Sequence, residues 1–172
     1  MPEDDIWDEH AWEAFLRNDD ERVNRSSGHP ISFEEGDEDD DAPTLDDLLA
    51  LPVYQHAYKL ANRVLAWSDG IPGDQKDSTF VHFCANTLQI PANIARGHGL
   101  GMDRDHIGGY IACTKRALQC ANAALELLPG LRSAPYMATP AYNVLYERVF
   151  ELRNEVGLYV QELRGRFELG ID

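Results

Sequence analysis

From residue 45 onward, apolar side chains recur at intervals of three and four, the spacing that lines one face of an α-helix. Ile107, Ile111, Thr114, Leu118, Ala121, Leu125 and Leu128 make one uninterrupted seam. Tyr142, Leu145, Val149, Leu152, Val156, Tyr159 and Leu163 make another. Two shorter stripes precede them: Val53, Ala57, Leu60, Ala61, Val64 and Leu65, then Phe80, Phe83, Cys84, Thr87, Ile90 and Ile94. Nowhere does a strand-like alternation persist for a useful length. These patterns predict helices over about 45–68, 74–96, 103–128 and from about 140 onward. Short connections between four such helices favour an antiparallel up-down-up-down four-helix bundle, an all-α fold.

Punctuation residues sharpen the boundaries. Thr44 and Asp47 form a capping pair for the first helix, which Gly70 and Pro72 end; Pro52 marks either a kink or the true start. Asp74 and Asp77 suit the positive end of the second helix, and Gly97 is placed to terminate it in the left-handed conformation. Within that helix Pro91 cannot donate to the Thr87 carbonyl, so a bend is expected, and the Asn93 amide is a candidate to satisfy the released carbonyl. Pro129 and Gly130 stop the third helix, and Thr139-Pro140 opens the fourth as cap and first residue.

The first 44 residues have another texture. Ile6, Trp7, Ala11, Trp12, Phe15 and Leu16 recur at helical spacing among acids, predicting a short amphipathic helix over about 5–24. An isolated helix of that length is marginal in water, so its aromatic face calls for a surface. That surface is its own bundle, a neighbouring copy or another protein; the other outcome is a largely disordered arm. From Ser26 to Pro43 the chain holds Glu34, Glu35 and Asp37 through Asp41, whose mutual repulsion predicts an extended linker. The organisation read from sequence is thus an acidic arm over 1–25, a linker over 26–44 and a bundle over 45–172.

Charge reinforces this division. The 172 residues carry a net charge of −15, and positions 1–47 alone account for it, with 18 acids against Arg17, Arg22 and Arg25. The remainder is balanced, so a neutral bundle follows an anionic leader. With 44% hydrophobic residues the chain has material for a core, and no run of 18 apolar residues offers a membrane span. The opening Met-Pro-Glu-Asp-Asp lacks a signal-peptide pattern, so a cytoplasmic location is expected.

Off the main seam of the last helix lie Tyr146, Phe150, Val160 and Phe167. A second apolar stripe on one helix points to a wide internal face or to contact between copies, and the latter is preferred. Lys115, Arg116, Arg148, Arg153, Arg164 and Arg166 are the candidate nucleic-acid contacts. Glu147, Glu151, Glu155 and Glu162 interleave with them, which favours a mixed solvated face, and a tethered −15 segment would compete with phosphate. No Cys-x-x-Cys pair or repeated Glu-x-x-His occurs; Asp103-x-x-His106 stands alone, and the three cysteines read as buried thiols. Gly97-His98-Gly99-Leu100-Gly101 follows a helix and lacks the Lys-Ser/Thr of a phosphate loop. No cofactor, metal or enzymatic constellation is expected.

Ile90-Pro91-Ala92-Asn93-Ile94-Ala95-Arg96-Gly97 resembles a stretch of the small four-helix-bundle proteins encoded by intervening sequences in 23S ribosomal RNA genes, whose fold also serves as the accessory protein of diversity-generating retroelements. The resemblance spans about residues 50–168. It implies an antiparallel bundle, commonly assembled as a homopentameric ring, and, in basic members, contact with nucleic acid or a reverse transcriptase. Three features depart from the family pattern: Arg96 replaces its usual Glu, Phe83-Cys84-Ala85-Asn86 stands where paired Arg residues are common, and Arg116-Ala117-Leu118 with Cys120 replaces a Gly-Ser-Leu-like stretch. The expectation is therefore a homo-oligomeric, non-enzymatic adaptor, with a nucleic-acid or reverse-transcriptase accessory role as the alternative.

Overall fold

The computed structural model describes residues 43–170. The helix expected over 5–24 and the acidic linker up to residue 42 lie outside the described residues. What is described is all helical: α1 (Leu45–Ala50), α2 (Pro52–Gly70), a 3-10 turn (Gly73–Gln75), α3 (Ser78–His98), α4 (Ile107–Leu131) and α5 (Thr139–Leu169). The four long helices pack in chain order, and α2 also meets α5. Connections 71–77, 99–106 and 132–138 are too short to return along a helix, so neighbours alternate in direction.

Local chemistry sets each boundary. Thr44 Oγ1 accepts from the Asp47 amide (3.2 Å), and the Thr44 amide donates to the Asp47 carboxylate (3.1 Å), closing the expected capping box of α1. The expected first helix is in fact two. Leu51 precedes Pro52 and is driven to ψ 113, out of the helical region, so α1 stops and Pro52 opens α2. The same clash before Pro72 puts Ile71 at ψ 128 and ends α2. Asp77 accepts from the Phe80 amide at 2.8 Å and caps α3. Asp103 caps the turn into α4, its carboxylate accepting from the Asp105 and His106 amides.

Two expected stops do not act. Gly97 lies inside α3, which continues to His98 and ends at Gly99 in right-handed geometry. Gly97 is required for packing instead: a Cβ there would lie 2.5 Å from Tyr110 Cδ2. The left-handed glycine of this connection is Gly101, at φ 93. Likewise α4 runs through Pro129 and Gly130 to Leu131, with Gly130 set close to Thr79 of α3. The close approaches at Gly97 and Gly130, near opposite ends of α4, draw α3 and α4 together along their length.

This closeness reshapes the core. On α4 the fully buried positions are Ile107, Tyr110, Thr114, Ala117, Ala121, Ala124, Leu128 and Leu131. Ile111, Leu118 and Leu125, assigned to the seam by spacing, are only half-buried. Small Ala side chains let the helices approach and turn the larger ones to the flank. On α5, by contrast, all seven seam residues from Tyr142 to Leu163 are buried.

Candidate interaction surfaces

The family-like motif is the inner face of α3. Ile90, Pro91, Asn93, Ile94 and Gly97 are buried, Ala95 is half-buried and Ala92 is exposed. The Asn93 amide donates to the Gln89 carbonyl at 2.8 Å and approaches Cys120 Sγ on α4. The carbonyl it satisfies is thus that of Gln89 and not, as expected, that of Thr87.

Of the four residues assigned to a subunit contact, three face outward and one does not. Tyr146 and Phe150 stack nearly parallel (8°, centroids 6.4 Å) at 40% and 45% exposure, and Phe167 is exposed further along α5. Val160 is 6% exposed, which corrects its assignment: it widens the internal face of α5 and is spent within the protomer. Leu158, which spacing placed on neither stripe, is 66% exposed.

A second outward stripe went unrecognised in the sequence. Tyr54, Tyr58 and Leu65 recur along α2; the two tyrosines stack at 5.9 Å, and Tyr58 and Leu65 are each 42% exposed. Their spacing of four and seven was the available signal, masked by the assignment of Leu65 to the core. The two stripes lie on different sides of the bundle. His56 of α2 meets Glu155 of α5 at 2.6 Å, and Tyr58 projects from nearly the opposite side of α2, toward α3. There Cys84 of α3 reaches Ser68 of α2, and exposed Val81 sits one turn before Cys84. On α5, Arg153 donates to Asn122 of α4 (2.9 Å) and Gly157 faces Leu118, so Tyr146 and Phe150 occupy the α4 side. One apolar patch therefore runs along the α2–α3 face and the other along the α4–α5 face.

The candidate nucleic-acid residues are dispersed or engaged. Arg148 pairs with Glu151 (3.3 Å) and Arg166 with Glu162 (2.9 Å), while Arg153 binds Asn122 and Asn154. Lys115, Arg116 and Arg164 are exposed. Among the described residues, no group of three or more His, Cys, Asp or Glu side chains is placed to hold a metal ion. Asp103 and His106 form an exposed pair at 2.7 Å that holds the Asp103 carboxyl below its usual range. Burial pushes the Cys84 thiol up to about 11 and raises that of Cys120. No described helix is long and apolar enough to cross a membrane.

Two buried polar residues were not anticipated. Arg63 is 6% exposed on the flank of the Leu60, Val64 and Trp67 stripe, and desolvation lowers its pKa. His98, at the end of α3, is 8% exposed and lies between Tyr110 Oη and the Thr44 carbonyl. Its burial could not be seen from sequence, because it depends on α1 folding back over the end of α3.

Neither a protein-family model nor a curated protein matches the sequence. Among solved structures, the chain is similar to a protein of unknown function from the S23 ribosomal protein family of Bacteroides thetaiotaomicron VPI-5482, with a TM-score of 0.53 and 16% identity. The likeness covers 63% of this chain and 97% of that one. Over that matched part the chain thus has the helical-bundle fold of the S23 ribosomal protein family, the 23S rRNA intervening-sequence proteins whose motif the sequence resembles.

Proposed function

We propose that this protein is a non-enzymatic, homo-oligomeric adaptor whose copies associate side by side and whose acidic N-terminal segment contacts a partner protein. The observation that carries this reading is the pair of apolar patches on opposite faces of one protomer, Tyr58 and Leu65 on one and Tyr146 and Phe150 on the other. A single patch would be satisfied by a two-fold dimer. Two different patches on opposite faces favour a heterologous contact, patch to unlike patch, which closes into a ring when the rotation allows. A ring would present several anionic segments, each with Trp7 and Trp12, and raise avidity without strong individual contacts.

A nucleic-acid role has less support, since Arg148, Arg153 and Arg166 are held by their own neighbours. Size-exclusion chromatography with light scattering on the full chain tests the proposal. The expected result is an assembly at micromolar concentration that Y146K/F150K converts to monomer with its helical circular dichroism intact. A wild-type monomer under those conditions overturns it.

A further inference from the structure

α1 is a six-residue helix, too short to persist alone, and it is held against the bundle at three points. Leu48 is buried to 8% exposure, Gln55 Nε2 donates to the Leu49 carbonyl at 2.6 Å, and His98 Nε2 lies 3.3 Å from the Thr44 carbonyl. The third point continues into the core. His98 Nδ1 lies 3.4 Å from Tyr110 Oη, which lies 2.6 Å from Tyr159 Oη.

Donor and acceptor chemistry orders this chain. A carbonyl oxygen only accepts, so Nε2 carries the proton directed at Thr44. A neutral imidazole then has a bare Nδ1, so Tyr110 must donate to it and is left to accept from Tyr159. Burial raises the pKa of both phenols, so both keep the protons this order requires.

We propose that α1 is a releasable strap and that Tyr110, by donating to His98 Nδ1, positions the imidazole whose Nε2–H grips the Thr44 carbonyl. Residues 1–42 precede the strap in sequence, so its release adds residues 43–51 to the chain that leads into α2.

Hydrogen exchange on the full chain reads this directly at the amides of residues 45–51. H98F and Y110F are each expected to speed exchange there about threefold to tenfold, the equivalent of one net hydrogen bond, while α2–α5 stay protected. The double variant should add nothing further. H98Q supplies an amide donor that needs no tautomer, so its strap should stay protected whether residue 110 is Tyr or Phe. Wild-type protection of 45–51 in Y110F overturns the proposal. If Y110F loosens the whole bundle, H98F and H98Q decide: equal loss of strap protection in both overturns it, and loss in H98F alone supports it.

Discussion

At the scale of single residues, the sharpest constraints are steric. Gly97 admits Tyr110 against the α3 backbone, and a methyl group there would meet the ring at 2.5 Å in a region where Tyr110 is fully buried. We expect G97A to cost about 1–3 kcal/mol, typical of overpacking, as a lower urea midpoint with unchanged slope. Gly108, with nothing near its missing Cβ, is the control: G108A should leave the midpoint unchanged or raise it slightly. The sequence marked Gly97 as special for the wrong reason. A glycine near a helix end usually signals a left-handed stop, and only the three-dimensional position of Tyr110 distinguishes that from close packing. Thiol chemistry offers a second residue-scale test. With its thiol pushed up to about 11 by burial, Cys84 holds little thiolate at pH 8, so a disulfide-exchange reagent should label it on the order of a hundredfold more slowly in the folded protein than after unfolding.

Helix by helix, legibility tracked how uniform the side chains were. Along α5 the seam alternates large residues without interruption, and every predicted core position is buried. Along α4 the period was right but the phase was displaced, because Ala117, Ala121 and Ala124 carry little hydropathic weight although they are fully buried. Capping signals held at Thr44 and Asp77, where a side-chain oxygen makes the cap, but not at Thr139, which is the first residue of α5 behind Ala138 and makes no side-chain cap bond. The Thr44 box also sets a pH limit for α1. Hydrogen bonds from Thr44 hold the Asp47 carboxyl below its usual range, so its contribution is present above about pH 4 and disappears as pH falls through the lowered folded value. Exchange at residues 45–51, corrected for intrinsic pH dependence, should therefore accelerate on acidification before α2–α5 loosen, and D47N should abolish that early phase.

At the scale of the molecule, the decisive property is that the two outward patches differ. An isologous contact would pair Tyr146 and Phe150 with the same residues of a second copy, leaving Tyr58, Leu65 and Val81 unpartnered. A heterologous contact uses both faces on every copy. These arrangements part when two defective variants are mixed. Under the heterologous arrangement, Y58K/L65K and Y146K/F150K are each monomeric alone, because every contact in a pure sample has one damaged side. Mixed in equal amounts, they retain one intact pair of faces and should form a one-to-one heterodimer that grows no further. Under the isologous arrangement Y58K/L65K stays dimeric alone and the mixture forms no new species. Light scattering of the three samples separates the outcomes, and because the helical core residues are untouched, circular dichroism should be the same in all of them.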